Sequence, residues 1–84
     1  MKTRYNAHGE LTWFDFKIKN QNGKTIKYTA CNVSITGTYK WNLFSYASYK
    51  NILENVDKTT LLAYIECLTG CRPYIVFKRE VKSC

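Results

Sequence analysis

Histidine, proline and acidic side chains are all scarce in this 84-residue chain, which has one histidine, one proline and six carboxylates against thirteen lysines and arginines. The lone histidine, His8, lies in a polar lead-in far from any nucleophile, so a histidine-based acid–base arrangement is not expected. Four dispersed glycines exclude a phosphate-cradling glycine loop. No apolar run approaches the ~20 residues of a membrane span, and residues 1–10 lack the apolar core of a secretory leader. A cytoplasmic location with reduced thiols is the expectation.

The four cysteines, Cys31, Cys67, Cys71 and Cys84, lack the paired close spacing of a zinc site. Only Cys67 and Cys71 are near neighbours, and whether they pair is left open by the sequence. No metal and no cofactor is expected. Among the carboxylates, Asp15, Glu54 and Glu66 have no sequence-level partner for acid–base work, and Asp57 is placed to cap a helix. No catalytic residue is assigned, and the chain reads as a non-enzyme.

What is plentiful is alternation. Residues 11–19 place Phe14, Phe16 and Ile18 on one face, and residues 24–31 place Ile26, Tyr28 and Ala30 on one face. Such alternation around Asn-Gly signals a β-hairpin. A two-residue loop at Asn22 and Gly23 would set Lys17 against Tyr28 and split the apolar set between faces. A three-residue loop, Gln21, Asn22 and Gly23, instead pairs Ile18 with Ile26, Phe16 with Tyr28 and Phe14 with Ala30. It also puts glycine at the left-handed position. The three-residue loop is therefore expected.

That register has a corollary. The second face carries Trp13, Asp15, Lys17 and Lys19 opposite Thr25, Lys27, Thr29 and Cys31, with Lys17 across from Lys27. Like charges facing each other weaken a sheet. A cationic face holding an indole is therefore the candidate binding surface, with Trp13, Lys17, Lys19, Lys24 and Lys27 as its residues.

Beyond the hairpin, residues 32–41 alternate again and predict a third strand, or a long second strand bent at Gly37. Tyr46, Tyr49, Leu53 and Val56, with Ile52 beside them, recur at helical spacing and predict a helix capped by Ser45. A second helix is expected over 58–68, capped by Asp57, burying Leu61, Leu62, Ile65 and Leu68, and ending at Gly70. Pro73 then forces extended chain, and residues 74–77 predict a buried C-terminal strand. The sum is one α+β domain over 1–84. It comprises a three-stranded antiparallel meander plus a C-terminal strand, with two helices on one face, in the order βββααβ. The 1–9 lead-in and 82–84 are expected to be loosely held.

The formal net charge is +7, and 15% of residues are aromatic. These features suit a small inhibitor or regulator of the phage or mobile-element type, acting in anti-defence or host takeover. Its partner would be an acidic protein surface or a nucleoprotein complex of the host. The alternative is a single-stranded nucleic-acid-binding module without sequence preference.

Overall fold

The computed structural model describes residues 1–33, 40–71 and 73–78. Five strands form one antiparallel sheet in chain order: β1 (Thr3–Tyr5), β2 (Leu11–Lys19), β3 (Thr25–Asn32), β4 (Trp41–Ser45) and β5 (Lys50–Val56). One helix follows, α1 (Lys58–Thr69). The β2–β3 hairpin has the expected register, with Ile18 opposite Ile26, Phe16 opposite Tyr28 and Phe14 opposite Ala30. Its loop is held by Asn20, whose side-chain oxygen accepts from the amides of Asn22 at 3.0 Å and Lys24 at 2.9 Å. Gly23 sits at φ 78°, where a side chain would be strained.

Two expectations are corrected. The order is not βββααβ, because the stretch from Ser45 to Val56 is no helix. It is a turn followed by β5, which pairs with β4. The helical spacing there comes from irregularity in a strand. The β4–β5 register shifts twice, which puts adjacent Ile52 and Leu53 half-buried and brings Val56 back three residues later. Extra residues in a bulged strand break the two-residue period and can mimic a helical one. Asn55 marks the distortion at φ 53°, and its amide donates to the Asn42 side-chain oxygen at 2.8 Å.

Second, residues 74–77 do not form a strand of the sheet. The stretch is extended and joined by one bridge, Glu10 opposite Lys78, and by the Leu11 amide donating to the Phe77 carbonyl at 2.8 Å. Ile75 and Phe77 pack on the core while Tyr74 faces solvent. At the other end of the chain, the lead-in supplies the edge strand, since Thr3–Tyr5 pairs with β2. Of the stretch expected as a third strand, Asn32 ends β3 and Trp41 begins β4. Residues 34–39 and 82–84 lie outside the described residues.

The second expected helix is present. The Asp57 side chain accepts from the Thr60 amide at 2.7 Å, and Gly70 closes the helix in the left-handed conformation. Leu61 and Ile65 are buried, and with Leu11, Phe14, Tyr28, Ala30, Trp41 and Leu43 they form the core. Phe14 lies 5.7 Å from Trp41, which meets Phe77 edge-on at 5.9 Å between ring centres. The core therefore sits on one side of the sheet, under α1 and the extended stretch. Among the described residues no helix is long and apolar enough to cross a membrane.

Candidate functional site: the open face of the sheet

Because side chains alternate along a strand, the residues between the core positions emerge on the side away from α1. On β2 these are Trp13, Asp15, Lys17 and Lys19, and on β3 they are Thr25, Lys27, Thr29 and Cys31, paired as expected. Lys17 stands opposite Lys27. The structure shows how this repulsion is relieved. Lys27 Nζ reaches Asp15 Oδ2 at 3.6 Å and lies 5.1 Å from the centre of the Tyr46 ring. Lys17 and Lys19 point into solvent.

Trp13 is half-buried while its neighbour Phe14 is wholly enclosed. Arg4, opposite Trp13 on β1, places its guanidinium carbon 5.1 Å from the centre of the indole ring. This contact depends on β1, which sequence patterning did not reveal. Asp15 is the carboxylate at the middle of the face. The Lys2 backbone amide donates to its Oδ1 at 2.9 Å and holds the carboxyl below its ordinary pKa. Burial opposes this shift, and the Lys27 charge reinforces it. Burial pushes the Cys31 thiol up. Thr29 Oγ1 is buried without a hydrogen-bond partner among the described residues, a costly state for a hydroxyl at the centre of a sheet.

The face has a second aromatic group, two of whose members, Tyr46 and Tyr49, were expected on a helix. Phe44, opposite Thr29 on β4, meets Tyr46 edge-on at 5.0 Å, and Tyr46 meets Tyr49 at 6.4 Å. Tyr49 is 77% exposed and held at φ 53° in the turn before β5. Left-handed backbone is unusual for a bulky residue and is worth noting where the side chain gains little by burial. Lys24 has the parity of the core face, at the end of the hairpin. It nevertheless lines a groove of about 330 Å³ with Lys27, Tyr46 and Tyr49. Of the five expected residues, then, Trp13, Lys17, Lys19 and Lys27 share the open face, and Lys24 joins through the groove at its end. Arg4, Phe44, Tyr46 and Tyr49 are the additions. A signal for Phe44 exists in the alternation of Trp41, Leu43 and Ser45 against Asn42 and Phe44, but both sets contain an aromatic residue, so composition does not mark the outer one.

Elsewhere, His8 is exposed, and among the described residues no three His, Cys, Asp or Glu side chains come together. Cys67 and Cys71 are free thiols exposed to solvent. Comparison of the chain with known protein families, with curated proteins and with solved structures finds no match.

Proposed function

We propose that this chain is a small binding protein that acts by docking its open sheet face on an acidic macromolecular surface, without catalysis. The carrying observation is the pairing of an accessible indole with cations: Trp13 beside Arg4, with Lys17, Lys19 and Lys27 along the same face. Tryptophan and arginine at the centre of a patch are the residues that dominate protein–protein affinity. Asp15 interrupts the row of cations and favours a protein partner, since a carboxylate amid the lysines breaks a continuous phosphate track. In this reading the chain is a cytoplasmic inhibitor or regulator of the phage or mobile-element type, aimed at a host protein or nucleoprotein complex.

A second reading, single-stranded nucleic acid bound by stacking, draws on the groove with its exposed Tyr49 and the flanking Lys24 and Lys27. One experiment separates them. The wild-type chain and a Trp13→Ala/Lys17→Glu variant are immobilised and exposed to nuclease-treated host lysate, and labelled oligonucleotides are titrated in parallel. The docking reading expects a partner retained after nuclease treatment and lost with the variant. Retention by the variant refutes it. Nucleic-acid binding expects an oligonucleotide affinity falling log-linearly with salt, at about 0.7 per phosphate neutralised.

A further inference from the structure

On the helix side of the sheet, away from the open face, a cavity of about 290 Å³ lies between the start of α1 and the C-terminal extended stretch. Leu11, Trp41 and Phe77 supply its apolar lining, and Glu10, Lys58 and Lys78 its charged lining. The charged lining is one carboxylate against two ammonium groups, which leaves a net positive charge. Glu10 Oε1 accepts from Asn6 Nδ2 at 3.2 Å. Trp41 is 1% exposed, and its buried Nε1–H has no acceptor among the described residues, a state that proteins generally avoid. Lys58 Nζ lies 5.0 Å from the centre of the Phe77 ring, and neither Lys58 nor Lys78 forms an ion pair with a carboxylate among the described residues.

We infer that this cavity binds a small organic anion, a carboxylate attached to an aromatic or branched aliphatic group. The volume lies near the lower end of ligand pockets and suits a body of about ten non-hydrogen atoms. The apolar group packs on Leu11, Trp41 and Phe77, and the carboxylate takes the ammonium groups of Lys58 and Lys78. Lys58 is the first residue of α1, but Asp57 already occupies the Thr60 amide. The hold on the anion therefore rests on the two lysines rather than on the helix end. A neutral or cationic analogue would leave those donors unmatched, which gives the site its discrimination.

The two tryptophans make the test direct, because they lie on opposite sides of the sheet. Phenylacetate, phenylacetamide and phenethylamine are titrated into the ¹⁵N-labelled chain while both indole N–H signals are followed. Phenylacetate should shift the Trp41 signal saturably, with a Kd of about 1 mM or below, and leave the Trp13 signal in place. Phenylacetamide should bind about tenfold more weakly, and phenethylamine not at all. Lys58→Gln and Lys78→Gln should each weaken phenylacetate about tenfold, at unchanged Tm for Lys78→Gln and with a Tm lower by about 2–4 °C for Lys58→Gln, which loses the Phe77 contact. The inference is overturned by a Trp41 signal that does not saturate by about 10 mM. Equal binding of the amide and the carboxylate, or full affinity in the lysine variants, overturns it as well.

Discussion

Trp13 and Phe14 are adjacent in β2, and replacing each by alanine tests the arrangement of the whole molecule. Phe14 is 0% exposed and lies 6.0 Å from Phe16 and 5.7 Å from Trp41, ring centre to ring centre. Removing a buried phenylalanine costs about 3–5 kcal/mol through lost transfer energy and the cavity left behind. That is a large share of the 5–15 kcal/mol that holds a typical domain together. At roughly 4 °C per kcal/mol, Tm should fall by about 12 °C or more. Trp13 is half-buried, and its truncation loses the contact with Arg4, about 0.5–1 kcal/mol at an accessible site, plus a fraction of its apolar burial. The total should be about 1–2 kcal/mol. Urea denaturation at neutral pH, followed by far-ultraviolet dichroism, reads both values, and an unchanged m confirms that stability alone moved. If Trp13→Ala costs as much as Phe14→Ala, the indole is a structural element and the open face has no anchor to offer a partner.

Three further outcomes follow from the same geometry. Asp15 and Asp57 both have folded-state pKa values below the ordinary carboxylate value, Asp15 held down chiefly by the Lys2 amide and Asp57 by the Thr60 amide. Their stabilisation is therefore complete above about pH 4, the unfolded value, and is lost as pH falls through the folded values. Tm measured from pH 7 to pH 3 should drop, and Asp15→Asn should flatten that drop. An unchanged acid slope in Asp15→Asn would count against the Lys2 and Lys27 contacts. Gly23→Ala should cost about 1–2 kcal/mol, from the left-handed backbone alone, because an added methyl meets only Lys19 Cε at 3.7 Å. Thermal unfolding that shows no loss would mean the loop is closed differently. Tyr49→Asn places a residue tolerant of left-handed backbone at φ 53°. Tm should hold or rise, and binding of the partner, measured by pull-down, should fall if the exposed ring is part of the contact.

Some of this molecule follows from local order alone. The hairpin register is fixed by two facts within twenty-one residues: only one offset keeps Phe14, Phe16 and Ile18 with Ala30, Tyr28 and Ile26, and glycine sits most easily at the left-handed loop position. The helix 58–69 is equally local, since Asp57, the Leu61 and Ile65 stripe and Gly70 act within about four turns. The remainder needed the tertiary structure. β5 hides its two-residue period behind bulges that exist only because β4 lies beside it, so its apolar spacing imitates a helix. β1 is three residues long and polar, and it becomes a strand because β2 offers a free edge. The extended stretch at 73–78 is placed by Phe77 meeting Trp41, a contact between residues distant in sequence. Sequence thus settled what neighbours within a few residues could enforce. Pairing across longer separations decided which aromatic residues line the open face and which enclose the cavity, because that depends on the strand each residue meets.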